Sequence, residues 1–332
     1  MPKGRPRVEE RGAIAPDSGP CQCRAMAQRP PNPYAITGLD RMAMRRGDAD
    51  WLRELLSAPE TVIVPLWRAR NLVYVEDGPR PAHLPAAEAA ALLENGTETL
   101  FLGIRGGVAH FAVDLSHVED PHGAFGLAPA AKFVELRDVG PDLPPEEGGV
   151  LAYARGLAHW HRTHRFCGRC GAPTEVREAG HVRACTNPDC RAQHFPRTDP
   201  AVIMLVSRGD RALLGRKSDW PAGRYSALAG FVEPGETLEG AVAREVMEEV
   251  GVRVSDVTYH SSQPWPFPAS LMLGFYATAE DDEVRRNEDE LEDARWFTRD
   301  ELIDAGEAIA LRPRSDSIAR RLINDWVEGR AP

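Results

Sequence analysis

The chain has 332 residues, of which 42% are hydrophobic and 27% are charged, and its 40 Lys and Arg against 50 Asp and Glu give a formal net charge of -10. This composition excludes a wholly disordered, collagen-like or coiled-coil protein, and the length predicts two or three folded domains. The acidic surplus argues against general binding to nucleic acid or to an anionic lipid surface.

The first part of the chain, residues 1–33, is rich in Pro, Arg and Gly and lacks a hydrophobic period, so it is predicted to be a disordered tail. It also lacks the apolar centre of a secretory signal, and we therefore expect a cytoplasmic protein. The longest apolar run, Ala201 to Val206, is far shorter than the roughly 18 to 20 residues that span a bilayer, so no membrane segment is predicted.

Residues 34–149 contain short strand-like runs, such as Thr61 to Leu66 and Val108 to Val113, separated by Gly, Pro and Asp. This pattern predicts an N-terminal α+β domain that ends in the Pro- and Gly-rich stretch 140–149. Apolar residues then recur at helical spacing from Val150 to His161, which predicts a helix leading into a group of cysteines. No internal repeat is visible along the chain.

Two pairs of cysteines form the first cluster of reactive side chains. Cys167 and Cys170 flank a Gly-Arg turn, and Cys185 and Cys190 complete the cluster. Four thiolates can surround one Zn²⁺ and leave no open position, so we predict a structural zinc site with one ion per chain. Two disulfides or free buried cysteines are the alternatives, and disulfides are disfavoured without a secretory signal. The spacing from Cys185 to Cys190 is wider than in the plainest zinc ribbon.

The most informative stretch runs from Gly230 to Val252 and reads as strand, loop, helix and stop. Thr237 is predicted as the N-cap of the helix and Gly251 as its C-terminal stop. Apolar residues at helical spacing predict one face that packs on a core: Leu238, Val242, Val246 and Val250. The neighbouring face carries three carboxylates at i, i+3 and i+4, which are Glu245, Glu248 and Glu249.

Three carboxylates this close repel one another, so the helix is either an ordinary acidic surface helix or one that a cation neutralises. Carboxylate oxygens on a rigid helix suit Mg²⁺ or Mn²⁺, which keep positions for water and for a substrate phosphate. Such a metal would serve in-line displacement at phosphorus. Arg244 is predicted to orient a neighbouring Glu rather than to contact a substrate.

The spacing decides between these alternatives, because the stretch resembles the Nudix box, Gly-x5-Glu-x7-Arg-Glu-U-x-Glu-Glu-x-Gly-U, in which U is aliphatic. In a chain this long, such a match should arise by chance on the order of one time in a million. The resemblance implies a metal-dependent hydrolase of nucleoside diphosphate derivatives, with a Nudix α/β/α sandwich over residues 197–332. The chain matches at every defined position, namely Gly230, Glu236, Arg244, Glu245, Val246, Glu248, Glu249, Gly251 and Val252.

A proline-rich segment follows the box: Gln263, Pro264, Trp265, Pro266, Phe267, Pro268, Ala269 and Ser270. Its alternating prolines hold the chain stiff, which suits either a rigid loop at the edge of the core or a platform for stacking a base. The segment is similar to the Gln-Pro-Trp-Pro-Phe-Pro-x-Ser signature of NADH pyrophosphatases, a subfamily of Nudix hydrolases. The subfamily also has a zinc ribbon before its Nudix domain. We therefore predict a helix and a zinc ribbon over residues 150–196. The fold class of the whole protein is predicted to be α+β.

The resemblance implies hydrolysis of NADH or NAD at the pyrophosphate to nicotinamide mononucleotide and AMP. In some members it also implies removal of the NAD cap from the 5′ ends of RNA. Glu245 and Glu249 would bind the catalytic Mg²⁺ or Mn²⁺, with Glu248 beside them as ligand or base. Glu290 and the backbone carbonyl of Ala229 match further metal-binding positions of the subfamily.

The same resemblance implies a substrate pocket lined by residues 263–270. Phe195 and Phe231 match aromatic positions that sandwich a base, and Phe195 stands where some relatives have Tyr, so a hydroxyl contact is lost. Ala319 matches a backbone contact to substrate, and Arg137 matches a basic contact from the N-terminal side. The subfamily forms homodimers in which an aromatic residue can cross to the neighbouring site, and a homodimer is expected here.

Two other functions compete with this interpretation. A Nudix hydrolase of ADP-ribose or another nucleoside diphosphate derivative is the nearest alternative, and Trp265 and Phe267 argue against it. An RNA-binding zinc ribbon with a vestigial hydrolase is disfavoured by the three intact carboxylates. NAD-capped RNA as a second substrate is favoured by a locally basic stretch, although these arginines also suit a solvated surface: Arg155, Arg162, Arg165 and Arg169.

Overall fold

The structure is a computed structural model that describes residues 30–95, 98–304 and 313–331. The predicted disordered tail lies outside the described residues up to position 29. Its predicted end at residue 33 is too late, because Asn32 is buried and its side-chain amide bonds to distant parts of the chain. No helix in the three described ranges is both long enough and apolar enough to cross a bilayer.

The N-terminal domain is a seven-stranded sheet with helices on its two faces. Short buried runs separated by turns form the strands, as the sequence predicts. The elements follow in the order α1 (Ala49–Ser57), β1 (Val62–Trp67), β2 (Arg70–Tyr74), β3 (Arg80–Pro81), β4 (Leu84–Pro85), α2 (Ala90–Asn95), β5 (Thr99–Arg105), β6 (Val108–Asp114), α3 (Pro121–Phe125), β7 (Ala131–Val134), α4 (Leu136–Val139) and α5 (Pro145–Thr163).

The predicted helix before the cysteines is confirmed as α5. Its first turn contains Pro145, Glu146 and Glu147, and Arg162 lies in its last turn, so both ends favour the helix dipole. Its apolar face, which includes Val150, packs on the N-terminal sheet. A three-stranded ribbon follows, made of β8 (Thr174–Arg177), β9 (Val182–Cys185) and β10 (Gln193–His194).

The C-terminal domain is a six-stranded sheet between helices. One face packs on the helix of the Nudix-like box and the other on the last helix, which is the predicted sandwich. The elements are β11 (Asp199–Arg208), β12 (Arg211–Arg216), β13 (Leu228–Phe231), α6 (Leu238–Val250), β14 (Val254–Trp265), β15 (Ser270–Ala279), β16 (Asp293–Thr298), α7 (Arg299–Asp304) and α8 (Ile318–Val327).

The two sheets repeat one topology, although the sequence shows no repeat. In the first, β1 pairs parallel with β6 and antiparallel with β2 and β4, while β5 and β7 extend the two sides. In the second, β11 pairs parallel with β15 and antiparallel with β12 and β13, while β14 and β16 extend it in the same way. In chain order, the short helix α2 lies between β4 and β5, as α6 lies between β13 and β14.

Residues 31–37, here called the strap, connect the two sheets. The Asn32 amide donates to Ser261 Oγ and to the Ser262 carbonyl at 2.9 and 2.7 Å, and it accepts from Arg321 at 2.9 Å. The Tyr34 hydroxyl donates to Asp316 at 2.5 Å. The strap therefore anchors the N-terminal domain to both β14 and the start of α8.

Candidate functional site

Helix α6 holds the carboxylates because its ends and its apolar face are both defined. The Thr237 side chain accepts a hydrogen bond from the Gly240 N–H, and Gly251 has the left-handed backbone of a C-terminal stop, as predicted. Val242, Val246 and Val250 are fully buried against the sheet. The neighbouring ridge therefore presents its carboxylates at one edge of the domain.

Glu245 and Glu249 are pulled into the domain, whereas Glu248 stays at the rim. Glu249 is 2% exposed, while the Glu248 side chain is 52% exposed. A Cβ at Gly230 would lie 1.8 Å from the carboxyl carbon of Glu245, so only glycine leaves room for this carboxylate beside β13. The glycine of the box thus makes space for the Glu245 carboxylate, which is predicted to bind metal.

Glu249 is the most perturbed group of the site. Its Oε2 atom is buried without a hydrogen-bond partner in the described structure. The pKa of Glu249 is raised to about 8, chiefly by burial and also by the charges of Glu245 and Glu290, while Lys217 and a backbone hydrogen bond with Ala229 oppose the rise. An unpaired buried carboxylate oxygen in an acidic cluster fits a divalent cation.

Arg244 contacts the carboxylates that it is predicted to orient. It bonds to Glu236 at 2.6 Å, to Glu245 and Glu248 at 2.9 Å each, and to the Phe231 carbonyl at 2.8 Å. The hydrogen bonds from Arg244 lower the pKa of Glu236 to about 2. Arg244 therefore ties the loop of the box to the helix that carries the carboxylates.

Glu290 comes to the site from the loop between β15 and β16. That loop is fastened to the end of α6 because the Asn287 N–H donates to the Glu249 carbonyl at 2.8 Å, and Asn287 also bonds to Glu290. In the described chain, the carboxylates converge less closely than the cysteines, which are the one group of three or more potential ligands whose donor atoms lie within 4.8 Å of one another. Glu248 instead points to Arg244.

The four cysteines form a compact tetrad. Cys167 and Cys190 lie 3.8 Å apart at sulfur, and Cys170 and Cys185 lie 3.4 Å apart. The longer segment between Cys185 and Cys190 still forms a tight turn. Asn187 accepts hydrogen bonds from the backbone N–H groups of both Asp189 and Cys190. Four sulfurs at these distances suit tetrahedral Zn²⁺.

The proline-rich segment spans the end of β14 and the turn into β15, and its Gln263 is fully buried. The Gln263 amide donates to the carbonyls of Pro33 and Asp316 and accepts from the Ile318 N–H. All of its polar atoms therefore hold the strap and the start of α8. The side chain supports the pocket wall rather than pointing an open amide into a cleft.

Trp265 and Phe267 pack edge to face, 5.0 Å apart at their ring centres, and both contact Tyr34. Arg137 lies 4.5 Å from the ring centre of Phe267, and Arg155 lies 5.1 Å from it. These half-buried rings therefore join the two domains.

The remaining predicted substrate residues differ in exposure. Phe195 and Phe231 are 63% and 61% exposed, which leaves their rings open to a ligand or to another chain. Ala319 is buried, and its N–H donates to Ser317 at the start of α8. A backbone contact from Ala319 to substrate would therefore use its carbonyl side or replace this cap.

Comparison with known proteins places these features in one family. Family models match residues 60–160 as an NADH pyrophosphatase-like rudimentary Nudix domain, residues 162–195 as an NADH pyrophosphatase zinc ribbon domain and residues 197–322 as a Nudix domain. The chain is 35% identical over 340 residues to NAD-capped RNA hydrolase NUDT12 of Homo sapiens, across 89% of this chain and 73% of that protein. The chain belongs to the NADH pyrophosphatase family of Nudix hydrolases.

This member of the NADH pyrophosphatase family is also similar to bacterial proteins. NAD-capped RNA hydrolase NudC of Stutzerimonas stutzeri is 44% identical over 202 residues, or 61% of this chain and 70% of that protein. NudC of Mycobacterium bovis is 43% identical over 243 residues, or 69% and 75%. The predicted Nudix fold, its zinc ribbon and the hydrolase class are confirmed, and the family implies use of zinc and of a divalent metal.

Sequence reasoning missed several residues around the Nudix site. Lys217 lies in the loop after β12, and its charge lowers the pKa of Glu249. No sequence motif marks this lysine. Asn32 and Tyr34 were assigned to a tail or to the edge of a domain, although the ring of Tyr34 packs on the proline-rich segment. An Asn between two prolines, followed directly by a Tyr, was the one available signal for the strap.

Proposed function

We propose that this Nudix hydrolase cleaves the pyrophosphate of NADH or NAD to nicotinamide mononucleotide and AMP, and also removes NAD caps from RNA. The observation that carries the proposal is the buried, unpaired oxygen of Glu249, set beside Glu245 on a helix with a complete Nudix box. The relatives NUDT12 and NudC are named NAD-capped RNA hydrolases, which supports the capped substrate, and the matching domains named for NADH pyrophosphatase support the free dinucleotide.

Glu245, Glu249, Glu290 and the Ala229 carbonyl would hold Mg²⁺ or Mn²⁺. The bound cation would neutralise charge on the attacked phosphoryl group and bring a water to it. Glu248, exposed at the rim, would act as a further ligand or accept a proton from the attacking water. Arg244 keeps Glu245 and Glu248 oriented for these roles.

Residues 263–270, Phe195, Phe231, Ala319 and Arg137 would form the dinucleotide site. The exposed rings of Phe195 and Phe231 suit a base held between them, and the open Phe195 ring also suits a contact between subunits of a homodimer. One Zn²⁺ per chain would be held by Cys167, Cys170, Cys185 and Cys190 as a structural ion.

A panel of dinucleotides tests the proposal. The protein is incubated with NADH, NAD, ADP-ribose and NAD-capped RNA in Mg²⁺ or Mn²⁺, and products are separated by chromatography. We expect AMP together with nicotinamide mononucleotide, in its reduced form from NADH, at a higher kcat/KM for NADH and NAD than for ADP-ribose. A clear preference for ADP-ribose would contradict the proposal. Light scattering on the same sample measures the expected dimer.

A further inference from the structure

His194 lies beside the cysteine tetrad, at the end of β10. Its Nε2 atom is 3.3 Å from the sulfur of Cys167, within hydrogen-bonding distance of that sulfur. In the described chain, the residues whose donor atoms all lie within 4.8 Å of one another are the four cysteines, and His194 is not one of them. His194 therefore contacts Cys167 from outside the tetrad rather than as a further ligand.

The chemistry of the tetrad sets the direction of this contact. A zinc-bound thiolate carries no proton and can only accept, so the imidazole nitrogen that faces it is an N–H donor. Four thiolates around one Zn²⁺ carry an excess of negative charge. Cys167 is only 3% exposed, so water reaches this sulfur poorly. The N–H of His194 supplies a hydrogen bond that solvent cannot easily provide there.

Asn187 also lies within reach of the tetrad, but its contact is weaker. Its Nδ2 atom is 3.8 Å from the sulfur of Cys170, which is exposed to solvent. The contact from His194 is shorter, and it meets a buried sulfur. Of these two side chains, His194 therefore has the larger expected effect on zinc.

The same histidine ends a very short strand. β10 consists of Gln193 and His194, which pair with two residues of β9. Two strand residues contribute few hydrogen bonds, since typical strands have three to ten residues. The contact with Cys167 therefore anchors the end of β10 through a side chain.

Phe195, which is assigned above to the dinucleotide site, follows His194 directly. Its ring is 63% exposed, so the preceding backbone sets the position of the ring more than side-chain packing does. Beyond it, the chain enters β11 at Asp199, whose N–H donates to the Ala269 carbonyl at 2.8 Å. Residues 195–198 are thus held by the Nudix sheet at one end and by the tetrad at the other.

We propose that His194 is a positioning residue that joins the zinc site to the dinucleotide site. Its imidazole N–H holds the Cys167 thiolate, and its backbone sets the place of the Phe195 ring. The link to Phe195 rests on the proposed function, whereas the hydrogen bond to the thiolate does not. Zinc would then act on substrate affinity through the protein, without contacting the substrate.

Zinc affinity tests the hydrogen bond without any substrate. His194→Leu removes the N–H and keeps a side chain of similar bulk, while His194→Gln keeps an N–H donor at its end. Competition with a chromogenic zinc chelator should show zinc bound about 10- to 100-fold more weakly by His194→Leu, as for other outer-shell partners of a metal. His194→Gln should bind zinc nearly as wild type does. Gln193→Leu, at the exposed neighbour in the same strand, is the matched control and should equal wild type.

Steady-state kinetics of the zinc-loaded proteins with NADH and Mg²⁺ test the link to Phe195. We expect the KM of His194→Leu for NADH to rise about fivefold, as for a weakened stacking contact, while kcat changes little. His194→Gln and Gln193→Leu should keep the wild-type KM. Melting temperatures of the zinc-loaded proteins establish that each variant is folded. If His194→Leu does not fold, His194→Asn, whose side chain is too short to reach Cys167, replaces it in both measurements.

Equal zinc affinity in His194→Leu and wild type overturns the inference. A loss of affinity that His194→Gln fails to restore overturns it as well, because packing rather than a hydrogen bond then explains the loss. An unchanged KM in zinc-loaded His194→Leu overturns the link to Phe195. Wild-type protein inactive on NADH contradicts the proposed function itself, and the zinc affinities then decide the hydrogen bond alone.

Discussion

Glu249 is costly to the fold, and we propose that the chemistry of the site needs it. Its folded-state pKa of about 8 lies well above the ordinary carboxyl value of 4.5, chiefly because the group is buried. Between these values the folded chain binds more protons than the unfolded chain, so stability falls as pH rises through this window. A bound cation would offset that loss.

Glu249→Gln is therefore expected to separate stability from activity. Turnover of NADH should fall by more than about 100-fold, since loss of even an outer-shell partner of a metal typically costs about 10- to 100-fold. Without added Mg²⁺ or Mn²⁺, the variant should gain melting temperature relative to wild type as pH rises from about 5 to 9. Steady-state kinetics and thermal denaturation across this pH range measure the two effects.

Glu239→Gln is the matched control, because Glu239 lies on the same helix with an exposed side chain. It should change neither the activity nor the pH dependence of the melting temperature. Wild-type turnover in Glu249→Gln, or a melting temperature that does not diverge with pH, would contradict the role assigned to Glu249.

Single residues also show where sequence reasoning ends. Glu245, Glu248 and Glu249 could be grouped because helical spacing is a local property. Gln263 could be noticed only within a motif, and its actual bonds run to Pro33, Asp316 and Ile318. Partners so far away in the chain leave no spacing pattern, so the direction of that side chain was not predictable.

At the scale of elements, α6 and the zinc ribbon were the predictable parts. The helix has its cap, its apolar face and its stop in the sequence, and all three occur as expected. The ribbon depends on cysteine spacing, and its wider segment from Cys185 to Cys190 turns at Asn187, whose side chain accepts from the Asp189 N–H. Local chemistry was sufficient in both cases.

Replacement of one cysteine tests the ribbon. Cys190→Ser should lose about one equivalent of zinc per chain, because three thiolates bind Zn²⁺ more weakly than four, and its melting temperature should fall. Elemental analysis of the purified protein measures the metal. Cys21→Ser, at a cysteine outside the predicted tetrad and outside the described residues, should retain zinc. Equal zinc content in Cys190→Ser and wild type would refute the site.

At the scale of the whole molecule, the duplicated sheet topology could not be predicted, because the sequence shows no internal repeat. The order and sense of β1, β2, β5 and β6 repeat those of β11, β12, β14 and β15. Fold topology is set by which strands pair, and many different residues satisfy the same buried positions. Helix α6 has only the short α2 as its counterpart in the N-terminal domain. The Nudix box that identified the C-terminal domain could therefore not identify the N-terminal one.

The strap is expected to stabilise this two-sheet arrangement. Burial and the bond to Asp316 raise the pKa of Tyr34 far above its usual range, so its hydroxyl remains a donor. Tyr34→Phe keeps the ring against Trp265 and loses one hydrogen bond, which should cost about 1 to 3 kcal/mol because Asp316 stays buried. Urea denaturation measures the change in the free energy of unfolding.

Tyr74→Phe is the matched control for the strap, because no hydrogen bond of the Tyr74 hydroxyl occurs within the described structure. It should leave the free energy of unfolding within about 0.5 kcal/mol of wild type. Equal free energies of unfolding for Tyr34→Phe and Tyr74→Phe would show that the hydrogen bond from the strap to Asp316 does not stabilise the protein.

The strap also sets an order of events during synthesis. Asn32 is made early, yet its partners Ser261 and Arg321 lie 229 and 289 residues later. The N-terminal sheet can fold while the ribosome is still producing the ribbon, since domains fold as units as they emerge. The strap, in contrast, must wait until almost the entire chain has been translated, so the joint between the two sheets closes last.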